Sequence, residues 1–484
     1  MRAVILNGAM PRKGGLFMEK EKSIAKQKKE ALFSRSKHAG IRMDETALQT
    51  CDAFCEGYKA FLDAAKTERE AVNFTVAKLE EAGFRPFTPG MELKAGDRVY
   101  VNNRGKAVIM ATIGTAPITE GVRLNAAHID SPRLDLKQHP LYEDNEIALF
   151  KTHYYGGIKK YQWTAMPLSL HGMIVRADGS SVEVGIGEDA GDPVFCISDL
   201  LPHLAANQMK RTLHEGIKGE ELNIIIGSRP FRDDSESELV KLAILDILHE
   251  KYGITEDDFI SAELEAVPAY QAKDVGFDRS MIGAYGHDDR VCAYTAFMAA
   301  LECKNPVHTG VTILTDKEET GSDGNTGLCS SYLKYFLYDL AETFGANGRA
   351  VISASKCLSA DVNAAFDPTF PEVLERNNCA YFNHGVCVTK FTGARGKSGT
   401  SDASAEFVGE IRRLLDANDV IWQTGELGKV DMGGGGTVAA YIANLNIDTI
   451  DVGVPVLSMH APYEMVAKTD VYAAYRAFLV FLES

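Results

Sequence analysis

Apolar positions along the chain change their spacing several times, and each change marks an element. From about residue 45 to residue 82 they recur every three to four residues, at Ala53, Phe54, Tyr58, Phe61 and Leu62, then Val72, Phe74, Val76 and Leu79. That spacing turns one face of a helix toward a core, and Gly83 is placed to cap it. Runs at 98–101 and 107–112 flank Asn102-Asn-Arg-Gly105, which predicts a hairpin. The run 122–127 then reads as a strand that ends at His128-Ile-Asp130-Ser-Pro132.

Residues 134–270 have a different character. Short strand-like pieces at 168–175, 181–184 and 222–226 alternate with loops rich in Gly, Asp and Pro. One helix is predicted over 236–252, opened by Ser235-x-x-Glu238 as a capping box and closed by Gly253. Beyond residue 270 strands and helices alternate. A helix runs from Arg290, a strand covers 311–314, and a helix starts near Thr326. Strands follow near 384–391 and 449–454, then a last helix from Asp470. Such alternation predicts an α/β fold with a mixed, mostly parallel sheet covered by helices. The smaller β-rich region, 134–270, is inserted between the two parts of the larger domain, 41–133 and 271–484.

Residues 1–40 form a basic extension. Within it, Lys13-Gly-Gly-Leu-Phe-Met18 resembles a translated ribosome-binding run, so Met18 is the expected start of the native chain.

Composition narrows the function. A chain of 484 residues has room for two or three domains. Its net charge of −16 argues against nucleic acid as a partner, since phosphate binding needs a positive face. No apolar run approaches the roughly 18 residues that span a bilayer, so no membrane partner is expected. Nine Cys without a Cys-x-x-Cys pair read as reduced thiols of a cytoplasmic protein. Cys51 and Cys55 lie one helical turn apart; two small core residues is the reading taken, and a shared metal is the alternative.

The chemistry lies where strand-like runs end. His128 and Asp130 follow one, Glu318 and Glu319 another; Asp288, Asp289, Asp361 and His460 occupy similar places. In an open α/β sheet the ligand crevice lies beyond the carboxyl ends of the strands, so these groups should converge. Two His with three or more carboxylates suit a pair of Zn²⁺ or similar ions sharing a bridging carboxylate. On an extended chain Glu318 and Glu319 would point in opposite directions, leaving one for a cation and one for a proton. In His128-x-Asp130 the Asp can reach back to orient the ring; the alternative is an Asp that begins a Ser-Pro turn.

Four segments then carry a resemblance. Asn125-Ala-Ala-His-Ile-Asp-Ser-Pro132, Asp316-Lys-Glu-Glu-Thr-Gly-Ser322, Ser359-Ala-Asp361 and Leu457-Ser-Met-His-Ala-Pro-Tyr-Glu-Met465 resemble the signature blocks of the aspartyl aminopeptidase family, in that family's order. The resemblance implies a zinc-peptidase-like catalytic domain with an inserted dimerisation domain. It also implies a homo-oligomer, a dodecamer built from dimers, acting on peptides with a free amino terminus. By this likeness Asp288 would bridge two divalent metals, Zn with Co or Mn as substitutes. His128 and Asp361 would complete one site, and Glu319 and His460 the other. Glu318 would be the general base, with Asp130 beside it as a further catalytic group. A cis peptide is expected at Asp288–Asp289. Pro167-Leu-Ser-Leu-His171 resembles a block whose His reaches a neighbouring subunit's site, so His171 is a candidate substrate ligand; an interface hydrogen bond is the alternative.

Lys390, Arg395 and Lys397 could bind a substrate carboxylate, but loop 390–399 departs from the polar loop of members that select acidic amino-terminal residues. Gly396-Lys-Ser398 is not a phosphate loop, because Phe391 stands where that motif needs Gly. Gly433-Gly-Gly-Gly436 lacks dinucleotide spacing and reads as a place of close backbone approach. Two rival functions use similar residues: a metal-dependent deacylase of N-acyl small molecules, and a non-catalytic shell or cargo homologue.

Overall fold

Four strands running side by side in one direction make the centre of the fold: Thr309–Thr315, Val122–His128, Lys356–Ser359 and Asp448–Gly453. Every residue of the first two is buried, as a parallel sheet covered on both faces requires. The structure, a computed structural model, describes residues 23–33, 37–233 and 235–484. The expected start at Met18 and the segment before it lie outside the described residues.

Among the described residues, Ala107–Thr112, Arg98–Asn103 and Arg85–Pro86 extend the sheet on one side, and Val386–Thr389 and Trp422–Thr424 on the other. Three of the pairings are antiparallel, so the sheet is mixed but mostly parallel. Register decides where the strands stop. Thr315 lies beside His128, and Ser359 pairs with both Ala126 and Asp451, so the central strands finish together at their carboxyl ends. Helices Glu45–Ala64, Glu68–Glu81, His287–Glu302 and Lys468–Glu483 cover one face through Phe61, Leu79, Phe297 and Phe478. Helices Tyr332–Thr343 and Gly348–Ala354 cover the other through Phe336, Leu340 and Val351. Residues 38–484 form one unit; helix Ile24–Leu32 belongs to the segment before it, with the Ser23 side chain accepting the Lys26 N–H at 3.3 Å.

A second sheet of six antiparallel strands is built from residues 133–268 and closes over Phe150, Trp163, Leu168, Ile224 and Leu264. Its longest hairpin, Arg133–Asp144 with Ile147–Tyr155, was not expected from the sequence. The register shifts between Leu136 and Leu141, and that irregularity hides the two-residue alternation.

Three expectations change. The helical pattern at 45–82 is two helices, because Thr67 and Glu70 form a capping box that starts a new one: the Thr67 hydroxyl accepts the Glu70 N–H, and the Glu70 carboxylate accepts the Thr67 N–H at 3.0 Å. Ser235 does not cap this helix; its hydroxyl donates to Asp233 Oδ1 at 2.6 Å, and helix Leu239–Tyr252 begins later. Its first N–H groups, those of Val240 and Lys241, are each taken at 2.9 Å by Glu143 from the other end of the sheet's sequence. The helix expected near Thr326 starts at Tyr332.

His171 ties the second sheet to helix Glu68–Glu81. Its buried ring reaches Glu70 at 2.7 Å and Glu188 at 3.1 Å. Burial works against the charged ring, but the bonds to Glu188 and Glu70 outweigh it and hold the pKa up at about 9. A ring raised above its free value of about 6.5 stabilises the fold fully below that pH, and loses its contribution as pH rises through the folded value. The stability gap between wild type and His171→Gln should therefore be about 3 kcal/mol at pH 6 and close by pH 10. Denaturant melts at both pH values measure it; a gap independent of pH would show that the ring is neutral.

Candidate metal centre

Strand Val122–His128 ends by aiming the buried ring of His128 into the crevice. Its Nδ1 faces the Asp130 carbonyl at 3.0 Å. A carbonyl only accepts, so Nδ1 carries a proton. Burial opposes charge on the ring, but Asp130 and Asp288 raise its pKa well above the usual value, so a proton, or a cation in its place, sits at Nε2. That Nε2 lies 3.2 Å from Asp288 Oδ1. His460 repeats the arrangement from the far end of the chain: Nδ1 on the Gly157 carbonyl at 2.8 Å, Nε2 on Asp288 Oδ2 at 3.1 Å. Each oxygen of Asp288 thus meets a different imidazole.

Asp288 is held by its backbone as well as its side chain. Its peptide bond to Asp289 is cis, as the resemblance implied. Its N–H donates to Glu464 Oε2 at 3.1 Å, and its carbonyl accepts the Ser131 hydroxyl at 2.6 Å. Glu464 also accepts the His460 N–H at 2.7 Å, so one buried carboxylate sets two of the groups around the centre. Burial would raise the Asp288 carboxyl, but His128 and His460 hold it well below the usual range.

Glu318 and Glu319 do not lie on an extended chain. They open a 3₁₀ turn, Glu318–Thr320, entered through Lys317 at a φ of 67°. Asp130 fixes this turn by accepting the N–H of Glu318 and of Glu319, each at 3.1 Å. Tyr155 donates its hydroxyl to the same carboxylate at 2.8 Å. The two Glu side chains then part: Glu319 Oε1 lies 3.5 Å from His460 Nε2, and Glu318 Oε2 lies 3.9 Å from His128 Nε2. Burial pushes the Glu318 carboxyl up to about 7, with His128 opposing it and Asp130 and Asp288 adding to it.

Asp361 follows strand Lys356–Ser359 and brings a carboxylate oxygen, with one of Asp289, close to a His128 ring nitrogen. His128, Asp288 and Glu319 form a second such cluster, the donor atoms of each lying within 4.8 Å of one another. The donor chemistry fits divalent cations. Glu319 Oε1 and Asp289 Oδ1 are buried without a hydrogen-bond partner, and both imidazoles turn Nε2 inward, with Nδ1 fixed on a carbonyl.

Asp288, Glu318, Glu319, Asp361 and His460 line a cavity of about 470 Å³ together with Gly434–Gly436 and Tyr441. A side chain at 434 would strike the Gly393 carbonyl at 2.1 Å, which is the close approach expected of that Gly run. Two candidates lie apart. His171, expected at a neighbouring subunit's site, does not line this chain's own cavity and is bonded within the chain to Glu70 and Glu188. Lys390 is turned to Asp402, as is Lys397 at 2.8 Å. Cys51 and Cys55 pack in the apolar core. Tyr155 and Glu464 were missed as site residues. Glu464 sits four residues after His460 within the segment 457–465, so a signal existed; Tyr155, at the end of a strand in the second sheet, had none.

His128, Glu319 and Asp361 at the carboxyl ends of the central parallel strands, joined by Asp288 and His460 from strands Met281–Ala284 and Pro455–Leu457 of a further sheet, have the donor set of a metallohydrolase. The M18 family, described as aminopeptidase I zinc metalloprotease, matches residues 61–482. A probable M18 family aminopeptidase 1 of Clostridium acetobutylicum is 49% identical over 461 residues, 94% of this chain and 99% of that one. The crystal structure of aminopeptidase I from the same organism superposes with a TM-score of 0.89 at 46% identity, covering 94% of this chain and all (100%) of that one. The S. cerevisiae mApe1 dodecamer shares the fold, with a TM-score of 0.72 at 20% identity over 90% of this chain and 97% of that one. The chain belongs to the M18 family of zinc metalloaminopeptidases.

Removing the Tyr155 hydroxyl takes one donor from a buried carboxylate. Tyr155→Phe should cost about 1.5 kcal/mol of stability and lower kcat about tenfold through the displaced turn. Melting curves and steady-state kinetics read the two effects; an unchanged kcat would show that the hydroxyl does not position the turn.

Proposed function

We propose that this chain is a two-metal aminopeptidase in which His128, Asp361 and Asp288 hold one ion and Glu319, His460 and Asp288 the other. Zn²⁺ is the first choice, with Co²⁺ or Mn²⁺ able to substitute, because the N and O donors suit all three. The observation that carries the reading is the division of Asp288 between two imidazoles whose other nitrogens are fixed on carbonyls. Bound there, divalent cations supply Lewis acidity, which acidifies water and polarises a carbonyl.

Glu318 is the proton carrier. Its Oε2 lies 3.9 Å from His128 Nε2, beyond hydrogen-bond distance, and is left to take a proton from the attacking water and pass it to the leaving amine. Asp130 keeps it in place through the backbone of the turn, and orients His128 from the other side. A substrate's free ammonium is drawn to the carboxylates lining the cavity, which favours cleavage at an amino terminus.

An acidic amino-terminal side chain would find no Lys or Arg among the residues lining this cavity. With Lys390 turned to Asp402, we read the preference as neutral rather than acidic. The relatives are named aminopeptidases, which sets aside the deacylase and the non-catalytic shell.

Assembly into a dodecamer from dimers, through the region at 134–270, is supported by apolar side chains standing in water there. Leu200, Leu201, Leu204, Met209 and Leu213 are all at least half exposed, and such patches mark interfaces. A cytoplasmic location fits nine unpaired cysteines. Leu204→Asp with Met209→Asp should lower the mass of the assembly by light scattering; an unchanged mass would place the interface elsewhere.

Glu318→Gln keeps the shape of the side chain and removes the base. Metal content by mass spectrometry should be retained, and peptide turnover should fall by 10²- to 10⁴-fold. Turnover near wild type would refute the assignment.

A further inference from the structure

A second cavity, of about 750 Å³, opens beside the first and shares Gly157, Leu427, Gly434, Met459 and His460 with it. The walls differ in chemistry. Where the first cavity carries Glu318, Glu319, Asp288 and Asp361, the second is walled by Phe370, Val373, Leu374, Met432, Val456 and Leu457. Three of these are held in water, Phe370 at 57% exposure, Val373 at 41% and Met432 at 64%. Large apolar side chains left exposed along the wall of a cavity mark a binding surface. Its charged groups are two acids, Asp367 and Glu372, and one cation, Lys159.

Position decides what the surface is for. An aminopeptidase must keep the substrate's amino-terminal residue at the reacting groups and let the rest of the chain leave. His460 stands on the boundary between the two cavities, so a peptide bond held at the centre has the second cavity directly next to it. We propose that this groove binds the substrate residues that follow the scissile bond and selects apolar side chains there. The proposal rests on the aminopeptidase reading above. The groove gives an apolar residue contact with Phe370, Val373 and Met432, gives glycine none, and sets Asp367 and Glu372 against an acidic one.

The test uses the zinc-loaded, full-length enzyme and tetrapeptides that share one amino-terminal leucine. The second and third residues are Leu-Phe, Gly-Gly or Asp-Asp, and the leucyl nitroanilide is run beside them. Release of leucine should show kcat/KM about tenfold higher for Leu-Phe than for Gly-Gly, the size of effect one apolar pocket gives, with the difference in KM and with Asp-Asp lowest. Phe370→Ser and Met432→Ser, both changes at exposed side chains, should each bring the Leu-Phe to Gly-Gly ratio to within about threefold. A flat peptide series with the nitroanilide still hydrolysed would overturn the groove and leave the aminopeptidase reading standing. No release from peptides or nitroanilide would sink the neutral amino-terminal preference, and this proposal with it. A changed assembly mass in the two variants with the ratio kept would make the groove a subunit contact, and would equally overturn the proposal.

Discussion

Asp130 gathers donors from its own strand end and from two distant parts of the chain around one buried carboxylate. It accepts the N–H of Glu318 and Glu319 and the hydroxyl of Tyr155, and its Oδ1 lies 3.3 Å from His128 Nδ1. A carboxylate with no exposure to water costs several kcal/mol unless such bonds replace its hydration. Meeting that demand has a geometric consequence. The end of strand Val122–His128, the turn after Thr309–Thr315 and the last residues of Ile147–Tyr155 must all meet at one pair of oxygens. Burial would raise this carboxyl, but His128 and Tyr155 keep it below its ordinary value, so it stays charged and keeps its grip.

Around it the balance of charge is uneven. Asp288, Asp289, Glu318, Glu319 and Asp361 crowd into a buried space that offers two imidazoles as counter-charges. Burial pushes Asp361, Asp289 and Glu319 well up, the nearby carboxylates adding to it. Like charges at this separation need either protons or cations between them. Cations are the solution that leaves the donors ionised, and it is the one that family membership supports.

The second sheet reaches the centre through Tyr155. Arg133 stacks on that ring at 3.9 Å and pairs with Asp135 and Glu265 at 2.8 and 3.2 Å. Glu68, at the start of helix Glu68–Glu81, lies 3.4 Å from the same guanidinium. A rigid, fully engaged arginine of this kind transmits position, because neither its plane nor its partners can shift alone. The sheet from residues 133–268 therefore helps to set the turn Glu318–Thr320.

Residue order alone determined the central elements and the polarity of their ends. The runs at 122–127 and 311–314 became buried strands, Asn102-Asn-Arg-Gly105 a hairpin, and Gly253 a left-handed helix end. Each follows from apolar spacing or turn chemistry, which act between near neighbours and can be read locally. The capping box at Thr67 and Glu70 was equally local and could have been read. Other features had no local trace. Glu143 caps a helix about a hundred residues away, Tyr155 meets Asp130 from another sheet, Glu464 holds Asp288, and His171 pairs with Glu70 of a distant helix. Which donor reaches which buried acceptor is settled only when distant segments are packed together. The chain supplies the groups, and the tertiary structure chooses the pairs.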